Sequence, residues 1–381
     1  MLRNVHMTEE LEAIRQQVER FVAQEVVPHG EAWEREGRVP REVLRRMGQL
    51  GFFSLRAPQE WGGLGLGPIA SCVFAEELGR STFAGFEVTV LVHTDMASPH
   101  LWRSGSPEQL RRFLPGVLSG EIVTAIAVTE PDAGSDVAGM RTTAVRDGRG
   151  WRLDGTKLFI TNAVHGDLVI VAARTRPEDR YGISTFLVEK GREGFSVSRK
   201  LEKHGWLSSD TAELSFRGCY VPEENLLGVE HRGFSEIMKN FQNERMVLSA
   251  MAVGAAQKGI ELTLAWTQGR RAFGGTLYDR EAIRQRLAMD QAQVDAARAG
   301  LYHAAWLMEA GVDATKAVSG VKAFACELAN RVLYDCLQFH GGLGYMREST
   351  IERMARDARV LPIGGGATEV MLEEVAKRSI V

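Results

Sequence analysis

Apolar positions at helical spacing mark the beginning of the chain. Apolar residues from Leu11 to Phe21 recur at intervals of three and four, just after Thr8, a residue type that often caps helix N-termini. A second pattern of this kind runs from Pro40 to a stop signal at Gly51. The first hundred residues are therefore predicted to be helical.

Between about residues 125 and 225 the pattern changes to short apolar or alternating runs. These runs cover residues 168–171, 184–188 and 213–216, and turn-forming sequences such as 147–150 separate them. Short strands bounded by such turns predict a small antiparallel barrel or sandwich.

From about Phe234 onward, long helical patterns return. One predicted helix face consists of the apolar residues Ile283, Leu287, Val294, Ala297 and Leu301. The order of elements is thus helical, then β, then helical, which predicts an α+β protein that is mostly α. Strands are not interleaved with helices, so a doubly wound α/β fold is excluded.

Two glycine clusters do not match nucleotide-binding loops. Residues 341–344 lack the spacing of a dinucleotide-binding fingerprint, and residues 364–366 lack the Lys and Ser or Thr of a phosphate-binding loop. Glycine clusters of this kind are usually turns.

Composition narrows the possible partners. The 381 residues include 46 basic and 49 acidic side chains, and no basic run suggests nucleic acid. The four cysteines show no metal-ligand spacing, and neither a signal peptide nor an apolar stretch of about 18 residues is evident. A reduced, cytoplasmic protein without a metal or a membrane span is predicted.

Two segments carry the chemistry. Residues 128–136 read VTEPDAGSD, and residues 155–162 read GTKLFITN. Hydroxyls, a proline-fixed turn and a glycine that permits close backbone approach suit a flat cofactor, although an ordinary turn between strands gives a similar sequence. As a pair at this separation, the two segments resemble the flavin-cradling strands of the acyl-CoA dehydrogenase family.

The resemblance extends from about residue 8 to the C-terminus, and it implies FAD as the cofactor. It also implies a helical domain at residues 1–124, a middle antiparallel β-barrel domain at 125–229 and a C-terminal four-helix bundle at 230–381. In the two segments, the implied FAD-binding residues are Ile126, Val128, Thr129, Gly134, Ser135, Phe159, Ile160 and Thr161.

Two further elements imply that FAD is shared between subunits of a homotetramer. Arg270 and Phe273 lie in a sequence similar to the family's RxxFG element, which reaches the FAD pyrophosphate of a neighbouring subunit. Gln338 and Gly342 resemble the loop on the adenine side. A solvated basic turn is the alternative interpretation of the first element.

The position of the catalytic base sets this chain apart from many relatives. Where those relatives carry a glutamate near the C-terminus, this chain has Gly365, whose backbone N–H is implied to bind the thioester carbonyl. Long-chain and isovaleryl-type members instead take the base from a Glu-Arg helix, which Glu244 and Arg245 resemble. A solvated surface pair is the alternative, and Glu369 is the competing carboxylate, with helix capping as its simpler role.

The resemblance assigns further contacts. FAD is expected to touch residues 367–369 through Ala367, Thr368 and Glu369. The predicted substrate-binding residues, two of which line an acyl tunnel, are Ser135, Gln242, Asn243, Arg245, Gly364, Val92 and Met96.

The implied reaction is α,β-dehydrogenation of an acyl-CoA thioester to the trans-2-enoyl-CoA, with the electrons passed to an electron-transfer flavoprotein. An acyl-CoA oxidase, a flavin monooxygenase relative and a non-catalytic acyl-CoA-binding homologue are the alternatives. A non-catalytic homologue predicts damaged motifs, whereas the flavin segments and the Glu-Arg pair are intact.

Overall fold

The N-terminal third is helical. The computed structural model describes residues 6–379. The first helix begins after Thr8, whose side chain accepts a hydrogen bond from the Leu11 backbone N–H at 3.2 Å, as the sequence predicts. The elements of this part are α1 (Glu9–Phe21), a π-helical segment (Val22–Val26), α2 (Gly30–Glu36), α3 (Arg41–Gln49), α4 (Pro68–Leu78), α5 (Ala84–Leu91), a second π-helical segment (Val92–Ala97), α6 (Ser98–Ser104) and α7 (Pro107–Ser119).

A sheet follows. Its strands are β1 (Thr124–Ala127), β2 (Thr143–Asp147), β3 (Gly150–Thr161), β4 (Leu168–Arg174), β5 (Ile183–Glu189), β6 (Phe195–Lys200), β7 (Thr211–Pro222) and β8 (Leu226–Leu227). The strand order is β6-β7-β3-β2-β4-β5-β8, with β1 paired to β4.

The predicted closed barrel is not observed. Among the described residues, β6 and β8 stand at opposite ends of the sheet and do not pair, and β4 runs parallel to both β1 and β2. The central unit is therefore an open, mostly antiparallel sheet. Alternation of apolar and polar residues sets which face of a strand is buried, but it does not set whether the outer strands meet.

The C-terminal part is again helical, as predicted. It contains α8 (Gly233–Gly269), a hairpin of β9 (Arg271–Ala272) and β10 (Gly275–Thr276), α9 (Glu281–Glu309), α10 (Thr315–His340), α11 (Thr350–Ala358) and α12 (Thr368–Lys377). Helix α8 packs against α4, α9 and α10, and α10 also contacts α11 and α12. Cys72, Cys219, Cys326 and Cys336 are buried and free of disulfides.

Two glycines allow α4 and α8 to touch backbone to backbone. A Cβ atom on Gly254 would lie 2.0 Å from the carbonyl oxygen of Glu76, and one on Gly79 would lie 2.4 Å from that of Met251. These contacts fix how deeply α8 enters the N-terminal helices.

We predict that Gly254→Ala lowers the free energy of unfolding by about 1–3 kcal/mol, because the new methyl group must push two backbones apart. Gly320→Ala on α10 is the matched control, since its Cβ would meet Val375 at an ordinary 3.7 Å. Alanine's better helix propensity should make that variant up to about 1 kcal/mol more stable. Urea unfolding of both variants tests the sign of each effect.

Candidate active site

The two motif segments lie side by side. The Leu158 backbone N–H donates to the Thr129 carbonyl at 2.9 Å, and the buried Lys157 ammonium donates to the Val128 carbonyl at 3.0 Å. Lys157 also forms an ion pair with the Glu130 carboxylate at 2.7 Å. Burial lowers the pKa of Lys157 to about 8 against the opposing effect of Glu130. This pair was not predicted from the sequence, although a lysine at an inward position of an alternating strand is a usable signal.

A bulge in β3 brings an aromatic ring to the surface beside these segments. The pairing of β3 with β7 shifts register between Lys157 and Ile160, and Phe159 adopts a φ of +61° with 63% of its surface exposed. Gly134 and Ser135 are also exposed, and a Cβ on Gly134 would meet nothing within 4 Å. An open surface with an exposed flat ring, hydroxyls and accessible backbone fits the isoalloxazine ring of FAD.

The remaining predicted residues of these segments are less accessible. Val128 and Ile160 are buried, while Ile126, Thr129 and Thr161 are half-buried. Val128 shares an apolar cluster with Ile237 and packs against Phe241, so the motif surface adjoins the first turns of α8.

Glu244 is on α8 near this surface, and it is buried. Only 8% of its surface is exposed, and burial raises the pKa of its carboxyl to about 8, while a hydrogen bond from Asn240 and the charge of Arg245 act in the opposite direction. The interpretation of Glu244 and Arg245 as a solvated surface pair is therefore wrong for Glu244. A carboxyl kept from water with a pKa near neutrality has the properties of a general base.

The residues flanking Glu244 differ in environment. The Gln242 side-chain oxygen and the Arg245 Nε are buried without a hydrogen-bond partner among the described residues. Asn243 instead has both ends of its amide engaged, because it donates to Asp95 at 3.1 Å and accepts from Arg56. Gln242 and Arg245 are thus better placed than Asn243 to bind another molecule.

The predicted tunnel residues lie on a distorted turn. Val92 and Met96 belong to the π-helical segment Val92–Ala97 and are buried. Asn240 of α8 donates to the carbonyls of Asp95 and Met96 at 3.1 and 3.0 Å. A π-helical turn leaves helix carbonyls in need of other donors, and such turns are frequent at functional sites.

The loop before α12 packs against the same helix as Glu244. Gly365 has a φ of +63° and Gly366 a φ of +101°, which favour glycine at both positions. A Cβ on Gly365 would lie 2.3 Å from the Leu248 side chain, one turn beyond Glu244. The buried Lys322 ammonium holds the loop by donating to the carbonyls of Leu361, at 2.8 Å, and Gly366.

The C-terminal residues predicted to touch FAD follow this loop. Helix α12 has Ala367 at its N-cap, so Thr368 is the first helical residue. The Thr368 hydroxyl donates to the Glu327 carboxylate at 2.8 Å, and Glu369 is exposed. Gly364 is half-buried beside them.

A separate group forms at the far end of α8. Arg270 lies over the Trp266 ring at 5.8 Å, and the Trp266 indole N–H donates to the Phe339 carbonyl at 3.1 Å. Arg270 is therefore close to the turn that carries Gln338 and Gly342, and all three are exposed.

This second group cannot reach the first within one chain. Arg270 is 26 positions beyond Glu244, which corresponds to about 39 Å along the helix axis. Phe273, with 91% of its surface exposed, is also at this far end.

Two features are absent from the described residues. No helix within residues 6–379 is long and apolar enough to cross a bilayer. The same range contains no group of three or more His, Cys, Asp and Glu side chains suited to hold a metal ion.

Comparison with known proteins identifies the family. Family models described as the N-terminal, middle and C-terminal domains of acyl-CoA dehydrogenase match residues 8–121, 125–219 and 231–380. The mitochondrial long-chain specific acyl-CoA dehydrogenase of Sus scrofa is 39% identical over 374 residues, which cover 97% of this chain and 86% of that relative. The chain belongs to the acyl-CoA dehydrogenase family.

Solved structures share the fold. The crystal structure of an acyl-CoA dehydrogenase from Geobacillus kaustophilus is 36% identical, with a TM-score of 0.94 and complete coverage of both chains. A glutaryl-CoA dehydrogenase from Mycobacterium smegmatis, solved in complex with FADH2, is 28% identical with a TM-score of 0.92 and coverage of 98% of this chain and 95% of that one.

We predict that Lys157→Met destabilises the protein by about 3–5 kcal/mol, because it leaves the Glu130 carboxylate buried without its cation. Lys239→Met is the matched control, since Lys239 makes an ion pair with Glu236 at 2.8 Å on the exposed face of α8. Denaturant midpoints should fall strongly for the first variant and little for the second. Equal midpoints would show that the buried pair contributes nothing to stability.

Proposed function

We propose that this protein is an FAD-dependent acyl-CoA dehydrogenase of the long-chain or isovaleryl type, with Glu244 as the catalytic base. The observation that carries the proposal is the buried Glu244 carboxyl. It lies one helix turn before Leu248, the residue that contacts Gly365 in the loop before α12. The 39% identity to a long-chain specific relative supports this branch.

The two candidate base positions exclude one another here. Leu248 fills the space that a side chain at position 365 would enter, so no carboxylate can approach from the loop without displacing it. Glu369 is exposed on α12 and lacks the desolvation that a base for a weak carbon acid needs. Glu244 is therefore the carboxylate to which we assign the proton transfer.

The residues act on the thioester from two sides. Glu244 removes the α-proton of the acyl chain, and the backbone N–H of Gly365 donates to the thioester carbonyl oxygen as negative charge develops there. The chemistry that bound FAD would supply is acceptance of a hydride from the β-carbon. The buried polar atoms of Arg245 and Gln242 form hydrogen bonds with the substrate. The buried side chains of Val92 and Met96 contact the acyl chain.

FAD binding is assigned to two parts of the fold. The surface formed by Thr129, Gly134, Ser135, Phe159 and Thr161 holds the isoalloxazine ring, with residues 367–369 beside it. Arg270 lies about 39 Å beyond Glu244 along the axis of α8. Because Phe273, Gln338 and Gly342 lie at the same end, we assign all four residues to the FAD of a second copy. Exposed aromatic rings at this end, Phe273 and Tyr345, support such a contact.

The domain division, the oligomeric state and the electron acceptor complete the proposal. We propose the domain division 1–124, 125–229 and 230–381, a homotetramer, and an electron-transfer flavoprotein as acceptor. A cytoplasmic location remains a prediction.

We predict that Glu244→Gln retains FAD but loses at least about a thousandfold in the rate of anaerobic flavin bleaching by acyl-CoA, because an amide cannot take the proton. Glu236→Gln, the same change two turns earlier on α8, should bleach like the wild type. A panel of straight and branched acyl-CoAs identifies the best substrate.

Other outcomes would redirect the assignment. Bleaching that survives in Glu244→Gln and disappears in Glu369→Gln would move the base to α12. Wild-type protein that binds FAD but is bleached by no acyl-CoA would favour the monooxygenase or the non-catalytic interpretation. Rapid reoxidation by oxygen without another acceptor would favour an oxidase.

The pH dependence has a definite sign. The base works as the carboxylate, and its pKa lies near 8 in the free protein. The rate constant for flavin bleaching should therefore rise about tenfold per pH unit below this value and level off above it. Anaerobic stopped-flow absorbance between about pH 6 and 9.5 measures the profile, and a rate that falls as pH rises would contradict the assignment.

A further inference from the structure

Asn240 joins Glu244 to the π-helical segment. Its amide nitrogen lies 3.1 Å from a Glu244 carboxylate oxygen, and the same nitrogen lies 3.1 and 3.0 Å from the carbonyls of Asp95 and Met96. The two residues are four positions apart on α8, so they occupy the same face of the helix. Asn240 is 1% exposed, and its partners leave it one orientation.

A cation lies behind this amide. Arg103 of α6 donates from Nη1 to the Asn240 side-chain oxygen at 3.0 Å. The charges of Asp95 and Glu236 also act on Arg103, while its side-chain hydrogen bond goes to the Asn240 oxygen. A cation at the oxygen of an amide polarises the group, and this strengthens the donor at its nitrogen.

The neighbouring ion pair of Arg56 and Asp95 holds the segment to which Asn240 binds. The Asp95 carboxylate accepts from Ser71 at 2.7 Å, from Thr94 at 2.7 Å and from Asn243 at 3.1 Å. Arg56 is 3.9 Å from Asp95 and also donates to Asn243. The segment whose carbonyls orient Asn240 is thus also held by Ser71 of α4 and by Asn243 of α8.

We propose that Asn240 is a positioning residue, which with Arg103 holds the Glu244 carboxylate in the orientation that receives the substrate proton. This inference rests on the proposed function of Glu244. The pathway from Arg103 through the amide to the carboxylate stabilises the charged form of the base while keeping it out of water.

The charged groups around Glu244 are few. Arg245 lies on the same helix, Arg103 acts through the Asn240 amide, and Asp95 and Arg56 lie beyond Asn243. The hydrogen bond from Asn240 lowers the pKa of Glu244 against the effect of burial. Its removal should therefore raise that pKa.

The test compares Asn240→Leu, which keeps the size of the side chain without a donor, with wild type. We expect the bleaching rate at pH 7 to fall about 10- to 100-fold, with the KM for acyl-CoA changed less than about threefold. The midpoint of the pH profile should move up by about one unit or more. FAD content should be unchanged.

The pKa of Glu244 can also be measured directly, without enzyme turnover. In the apoprotein, the infrared band of the Glu244 carboxyl, identified by subtraction of Glu244→Gln, should titrate at higher pH in Asn240→Leu than in wild type. Asn330→Leu is the matched control, because Asn330 likewise donates its amide to helix carbonyls, those of Cys326 and Ala358. It should lower stability without moving the band or the pH profile.

Arg103→Met keeps the proposal testable if Asn240→Leu does not fold. It removes only the cation behind the amide, so the pKa of Glu244 should rise in the same direction by a smaller amount. A folded Asn240→Leu or Arg103→Met protein with an unmoved titration midpoint overturns the proposal. If Glu244→Gln itself bleaches normally, the proposed base has failed instead, so the two failures are distinguishable.

Discussion

The structure depends on the hydrogen bonds that α8 donates to the backbone carbonyls of the π-helical segment Val92–Ala97. This turn leaves carbonyl groups unpaired inside the protein, where each would cost about 1–3 kcal/mol. Asn240 and Asn243 provide the missing donors, and both are on the face of α8 that carries Glu244. The segment of α8 from Asn240 to Glu244 therefore both pairs these backbone groups and carries the carboxylate.

Close backbone packing of α8 against α4 is a second constraint on the same helix. Because Gly79 and Gly254 let α4 and α8 touch through their backbones, α8 is drawn into the N-terminal helices along much of its length. Glu244 is buried on the same helix, and burial raises the pKa of its carboxyl.

Sequence patterns predicted the order of elements, the cap of α1 at Thr8 and most of the inward face of α9, on which Ile283 is only half-buried. Periodicity and capping can be predicted because they are local. The patterns also singled out Glu244 and both motif segments. They did not predict the open sheet, the positive φ of Phe159 or the Lys157–Glu130 pair, since each depends on how distant strands align. Arg56, Asp95 and Arg103 carry no local signal that connects them to Glu244, because only the fold brings three separate segments together at Asn240.

The contact between Gly365 and Leu248 has a consequence for how such enzymes can diverge. A glutamate introduced at position 365 would require a left-handed backbone and the space that Leu248 already fills. A carboxylate at position 365 therefore demands changes at two positions together, the loop residue itself and Leu248. No single substitution can therefore convert a protein with a glutamate on the helix into one with a glutamate on the loop.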